Sequence, residues 1–326
     1  MIANSGEYRK KNGQRGYVIM NNFIFENKTK VYFGKGGVKE YLGGLLANFG
    51  ETIMLAYGGG SIKCNGVYDE IMGILNAQGK CVVEFSGIMS NPTYAKVQEG
   101  AKLARENHVD LILAVGGGSV SDCCKVISGA FDTLSHAMET YFGKPDENNL
   151  SDDINEAVMR SVIRNIRILL TDPENYDARS ELARASAMAE NGVLKIGKVT
   201  DFQCHMLEHQ LGAYTNCNHG TGLAVIHPVL YRHIYKSGTA RFARFARFAQ
   251  NVWGIAPKGS DEETAAAGID ALAAFIKEIG LPTSFAEFGI PADTDFRAVA
   301  DSTNITAGCC KKLTRDEICE ILQECL

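Results

Sequence analysis

The chain has 326 residues, 45% of them hydrophobic and 22% charged, with a formal net charge of -5. That length buries a large core and fits two domains. The acidic balance offers no electrostatic footprint for nucleic acid and no apolar run approaches a membrane span, so neither is an expected partner and a small molecule is.

Residues 1–19, MIANSGEYRKKNGQRGYVI, are polar and basic without an apolar stretch, which excludes a secretory signal and predicts a disordered leader before a fold that begins at Met20. Residues 20–129 alternate short apolar runs with helical stretches: TIMLAY, CVVEF and LILAV are each followed by an amphipathic segment. Repeated βα units predict a parallel sheet covered by helices. Two of its turns carry the same tetrapeptide, Gly58-Gly59-Gly60-Ser61 and Gly116-Gly117-Gly118-Ser119. Glycines there let the backbone approach a ligand and leave N–H groups at a helix start free for phosphate, so two such loops on one sheet edge predict nucleotide binding. Neither loop is a GxGxxG fingerprint or a Walker A motif. A third turn places Asn91 and Pro92 before a helix, either as a plain cap with an N1 proline or as a cofactor contact.

From Phe131 onward the strand signal mostly stops, and residues 130–326 read as an all-α domain. ARFARFARFAQNVW spaces Phe242, Phe245 and Phe248 along one helix stripe, which predicts core packing. The ten cysteines are scattered with no CxxC. They argue against a disulfide framework and for a reducing cytoplasm.

The helical half concentrates ligand-type residues. Asp132 and His136 stand four apart and share a helix face, His205 and His209 do the same, and His219 follows in a glycine-flanked turn. One carboxylate with up to three imidazoles suits Fe(II) or Zn(II) and not Mg or Ca. His108, His227 and His233 read as structural. A rival motif overlaps: HMLEH (205–209) has the H-x-x-E-H form of an inverted zinc peptidase, with Glu208 as base. That reading leaves both glycine loops and the Asp132/His136 pair unused.

These stretches resemble the iron-dependent (group III) alcohol dehydrogenases, particularly the butanol dehydrogenase and NADPH-dependent aldehyde reductase branch. The resemblance lies in YGGGSIK, NPT, GGGSVSDCCK, GAFDTLSHAMETYF and HMLEHQLGAYTNCNHGTGLAVIHP, in that family's order from Met20 to the end. It implies a dehydroquinate synthase-like architecture: a Rossmann-like α/β nucleotide-binding domain, then an all-α metal-binding domain, with the active site in the cleft between them. It also implies that Asp132, His136, His205 and His219 hold one divalent metal, Fe2+ or Zn2+, while His209 stands beside nicotinamide and substrate as the catalytic proton relay. Gly58, Gly59, Gly60, Ser61, Asn91, Gly116, Gly117, Gly118, Ser119 and Asp122 fall to the cofactor. No carboxylate stands at the first loop, and Lys63 follows it, so NADP(H) is expected over NAD(H). The substrate would be a small alcohol or aldehyde and the assembly a homodimer.

The chain departs from that family at one place. Between GGGSVSDCCK and GAFDTLSH the family carries a segment on the order of 80 residues, more than two βαβ units, whereas here Ser128 is followed at once by Gly129. An incomplete nucleotide domain, an uncovered sheet edge and an inactive or vestigial member that keeps metal binding are the expectations this raises. A continuous helix over residues 119–132 would put Asp132 roughly 20 Å from the second glycine loop.

Overall fold

The structure is a computed structural model that describes residues 7–9, 15–17, 30, 32, 34–88, 94–116, 123–145, 148–236, 242–306 and 311–326. The chain divides into two compact units, Lys28–Val126 and one made of Met1–Asn27 with Ile127–Leu326. Near the start, where a leader without regular structure is expected, β1 (Glu7–Arg9) pairs antiparallel with β2 (Arg15–Tyr17). Asn12-Gly13, between them in sequence, is a common hairpin signal.

The Lys28–Val126 unit begins with α1 (Gly37–Leu46) and β3 (Thr52–Tyr57), followed by the short α2 (Ser61–Cys64) and α3 (Val67–Ala77). Then come β4 (Cys81–Phe85), α4 (Tyr94–Glu106) and β5 (Leu111–Val115). The strands form a parallel sheet in the order β4-β3-β5. Central β3 is buried on both faces, which is why TIMLAY reads as an unbroken apolar run. Ile53, Leu55 and Tyr57 pack with Leu46, Ile71 and Leu75 on one side, and Met54 and Ala56 with Phe85 on the other. Outer β5 is different: Ile112 is 59% exposed, so one face of this strand lacks the cover that a two-sided parallel strand normally has.

The Ile127–Leu326 part of the second unit is helical. The helix that enters it, α5, runs unbroken over Cys123–Tyr141 and so contains the Ser128-Gly129 junction. The run carries no proline, and the glycine costs a helix interior only about 1 kcal/mol. It is followed by α6 (Leu150–Thr171), α7 (Tyr176–Glu190), a 3-10 turn at Val193–Lys195, α8 (Gln203–Thr215) and α9 (His219–Lys236). The remainder is α10 (Phe242–Trp253), α11 (Asp261–Glu278), α12 (Phe285–Phe288), α13 (Phe296–Ser302) and α14 (Arg315–Glu324). Side chains of Asn149, Asn175, Ser260, Ser284, Asp295 and Thr314 cap their helices by accepting a backbone N–H three residues on. No helix among the described residues is long and apolar enough to cross a membrane.

The phenylalanine stripe is core. Phe245 and Phe248 are buried, and Phe245 stacks on Phe142 with ring centroids 4.4 Å apart. The arginines between them serve α6: Arg244 donates to Asp152 at 2.5 Å, and Arg247 to Glu156 at 2.5 Å and Asp153 at 2.6 Å. Arg244 also donates to the Tyr141 carbonyl, which ties down the end of α5.

His227 lies fully buried beneath α5, its Nε2 2.6 Å from the Ser135 hydroxyl. Burial pushes its pKa down to about 4. The unfolded chain therefore takes up a proton near pH 6.5 that the folded chain refuses until about pH 4. Stability is lost as pH falls through that window, by an amount on the order of 3 kcal/mol. Denaturant melts at pH 7 and pH 5 are expected to show about 2 kcal/mol of this loss, and His227→Gln to show less of it.

Candidate metal centre

Three helices bring the ligand-type side chains together. On α5, Asp132 and His136 sit one turn apart, and Asp132 Oδ1 lies 3.6 Å from His136 Nε2. α8 contributes His205 and the start of α9 contributes His219, each with Nε2 3.5 Å from the same Asp132 Oδ1. His205 Nε2 also lies 3.1 Å from His136 Nε2. Asp132, His205 and His219 place their donor atoms within 4.8 Å of one another. His136 stands at the edge of that trio, and its Nε2 is 2.8 Å from Glu190 Oε1.

Two buried carboxylates orient the rings from behind. Glu139, one turn beyond His136, pairs with His205 Nδ1 and accepts the backbone N–H groups of Cys204 at 2.7 Å and His205 at 3.2 Å. Phe202, just before α8, is in the left-handed region at φ 55° and supplies no side-chain cap, so Glu139 satisfies donors that the helix start leaves open. Glu208 pairs with His219 Nδ1 and accepts from the Cys217 thiol at 3.7 Å. Both pairings settle Nδ1 as the occupied nitrogen and turn Nε2 toward Asp132, the arrangement in which a carboxylate raises the basicity of a metal-binding imidazole.

Glycines permit this approach. A Cβ on Gly220 would sit 2.7 Å from the Ser128 hydroxyl and closer still to the Ser128 carbonyl oxygen. On Gly222 it would sit 2.8 Å from Glu208 Oε1. The two glycines after His219 thus let α9 lie against α5 on one side and α8 on the other. Asn218 completes the joint: its Oδ1 accepts the Thr221 N–H at 3.1 Å and the Ser128 hydroxyl at 2.5 Å.

Charge follows the geometry. Burial opposes ionisation of Asp132, yet the imidazoles of His205 and His219 facing it outweigh that and hold the carboxyl far below the usual range. Burial likewise opposes charging of the two histidines, but Glu139 and Asp132 push His205 up to about 9, and Asp132 and Glu208 push His219 up to about 10. Such a pocket is built around positive charge. Two buried polar atoms in it, Asp132 Oδ1 and His136 Nδ1, have no hydrogen-bond partner. An anionic oxygen faced by three imidazole nitrogens at 3.5–3.6 Å is what a cation would complete, since bonds of 2.0–2.2 Å put neighbouring donors roughly 3.0–3.5 Å apart. The residues fit a divalent metal.

His209 lies at the rim, exposed, with its ring stacked on His219 at 5.1 Å. Burial and the neighbouring imidazoles of His219 and His205 lower its pKa. The peptidase reading of HMLEH loses its base: Glu208 is buried and paired with His219 Nδ1, so its carboxylate is not free to act on a water.

In the sheet unit, Gly58 to Ser61 form the turn from β3 into α2. A Cβ at Gly58 would sit 3.0 Å from the Ile88 carbonyl oxygen, which explains a glycine there. Lys63 lies over the Tyr68 ring and 3.5 Å from Glu84. Glu84 accepts the hydroxyls of Tyr57 and Tyr68, both at 2.5 Å. Gly116 follows β5, while Asn91, Gly117, Gly118, Ser119 and Asp122 lie outside the described residues. Sequence reading assigned no role to Glu139, which lies in the family-like stretch GAFDTLSHAMETYF, and missed Glu208 as a ring partner, Glu190 and the Gly220/Gly222 contacts; the position of Glu139 one turn from His136 held the one usable signal.

Residues 126–326 match the Fe-containing alcohol dehydrogenase family, C-terminal, and residues 28–157 match iron-containing alcohol dehydrogenase. NADH-dependent butanol dehydrogenase A of Clostridium acetobutylicum is 28% identical over 94% of this chain and 100% of its own length. The NADPH-dependent aldehyde reductase YqhD of Escherichia coli is 28% identical over 83% of this chain and 90% of its own. The crystal structure of NADH-dependent butanol dehydrogenase A from Thermotoga maritima superposes with a TM-score of 0.86 at 27% identity, covering 94% of this chain and 99% of that one. The fold is therefore the Rossmann-like and all-α pair. In the C. acetobutylicum alignment, 391 positions take in 94% of the 326 residues here, about 306, and leave roughly 85 positions of the relative without a counterpart.

Proposed function

The chain belongs to the iron-containing alcohol dehydrogenase family, and from that premise we propose that it is a metal- and NADP(H)-dependent alcohol dehydrogenase or aldehyde reductase. The observation that carries the reading is the pair of imidazoles, His205 and His219, braced at Nδ1 by buried Glu139 and Glu208 with both Nε2 atoms on Asp132. When bound, Fe(II) or Zn(II) supplies Lewis-acid polarisation of an aldehyde or alcohol oxygen during hydride exchange with nicotinamide.

The chain's own residues do the rest. Asp132 contributes the anionic oxygen and His136, His205 and His219 the nitrogens that would hold the ion. Glu139 and Glu208 keep the rings aimed. His209, with its pKa lowered, is neutral near pH 7 and free to pass a proton between solvent and a substrate oxygen at a ring nitrogen. Metal-loaded chain, NADPH and a medium-chain aldehyde should consume NADPH, and Asp132→Asn should not.

For the cofactor, the first glycine loop carries no acid, and Glu84 nearby is occupied by two tyrosine hydroxyls, which leaves Ser61 and Lys63 as donors for a 2'-phosphate. Turnover at subsaturating NADPH is expected to exceed turnover at equal NADH; the reverse ratio defeats this assignment.

A second reading, a member that holds metal without turnover, is favoured by the roughly 85 unmatched positions of the relative, the excess of 391 aligned positions over 94% of 326 residues. One metal per chain with no NADPH consumption, and activity regained when a family segment is inserted after Ser128, is the pattern it requires.

A further inference from the structure

Glu190 closes α7, where a carboxylate meets the negative end of the helix dipole. Its own helix does not explain it. Its Oε1 lies 2.8 Å from His136 Nε2. That same nitrogen lies 3.6 Å from Asp132 Oδ1 and 3.1 Å from His205 Nε2, so Glu190 meets the face of the ring that the other donors share. The contrast with Glu139 and Glu208 is geometric: those two are buried and hold Nδ1 atoms from behind, whereas the Glu190 side chain is half exposed and comes from the open side. Meanwhile His136 Nδ1 and Asp132 Oδ1 remain unpartnered. Donor separations of 2.8 and 3.1 Å are those of neighbours around a six-coordinate ion with bonds of about 2.1 Å.

We propose that Glu190 is a fifth protein donor to the metal centre, adjoining His136, so that this chain offers two carboxylates and three imidazoles. The proposal rests on the metal-dependent reading above and deepens it toward metal choice. A second hard oxygen raises the coordination number and shifts the balance toward Mn(II) and Fe(II) relative to Zn(II), which four donors already satisfy.

The test uses full-length, metal-free chain, wild type and E190Q, titrated anaerobically with Mn(II) and with Zn(II) against a chelating indicator, and with Co(II) by visible absorption. Mn(II) affinity is expected to fall about tenfold or more in E190Q, Zn(II) affinity to fall much less, and the Co(II) bands to intensify as the site drops toward four-coordination. E190A, read the same way, separates loss of the carboxylate from any effect of the new amide. Equal losses for both ions with an unchanged Co(II) spectrum would make Glu190 a hydrogen-bond partner of His136 only and overturn the proposal, as would unchanged affinities. Wild-type chain that binds none of the three ions would instead defeat the metal-dependent reading itself.

Discussion

Gly220→Ala is expected to break the metal centre without touching a ligand. The methyl group would drive into the Ser128 backbone, with the Ser128 hydroxyl 2.7 Å away and the carbonyl nearer. Backbone cannot rotate aside as a side chain can. Relief requires α9 to lift from α5, and His219 leaves Asp132 with it, because His219 and Gly220 are adjacent on α9 and Ser128 and Asp132 are one turn apart on α5. Overpacking of this kind costs about 1–3 kcal/mol, and metal affinity should fall about tenfold or more, since each tenfold is about 1.4 kcal/mol. Melting temperature and metal titration read both effects. A Gly220→Ala chain that melts and binds like wild type would show that the helices have room the structure denies them. Gly222→Ala is the internal contrast: its clash is with the end of the Glu208 side chain, so it should weaken metal binding with a smaller loss of stability.

Glu139→Gln is expected to have the second largest effect. Glu139 is fully buried, and burial opposes its charge, yet His205 beside it keeps the carboxyl below its ordinary range. The amide keeps one acceptor for the Cys204 N–H but cannot also offer an anionic oxygen to His205 Nδ1. Second-layer carboxylates of this kind are worth about 10–100-fold in metal affinity. Titration of metal-free Glu139→Gln should show that loss with one site still filled at saturation. Undiminished affinity would mean that His205 is held by packing against Phe202 and His136 instead.

The alternation of apolar runs and amphipathic stretches made β3, β4, β5 and the long helices legible, because a two-sided parallel strand and a one-sided helix leave different periods in sequence. Candidate ligand positions were legible for a related reason: residues four apart on a helix share a face, which marked Asp132 with His136 and His205 with His209, and His219 after them, while the choice of four among these five came from the family resemblance. Spacing alone could not separate His205 from His209, which occupy the same face; the third dimension does, since only His205 meets Glu139 and Asp132. The roles of Glu139 and Glu190 were hidden because an acid in a helix reads as a solvated face, and Glu208 was read as a peptidase base and not as the partner of His219. Gly220 and Gly222 were hidden because a glycine beside a turn reads as turn chemistry, while here each answers to a neighbouring helix. The Ser128-Gly129 junction, a break by comparison with the family, is the interior of one helix, with Ser128 bonded to Asn218 at the start of α9. That bond holds Ser128 beside the start of α9.

The central claim is that Asp132, His136, His205 and His219 hold one divalent ion. Anaerobic titration of metal-free chain with Fe(II) or Zn(II), beside Asp132→Asn and His219→Ala chains shown to be folded by circular dichroism, tests it most directly. One ion per wild-type chain, with the site lost in Asp132→Asn and weakened at least about tenfold in His219→Ala, is the predicted result; no binding by wild type, or equal binding by all three chains, would contradict it.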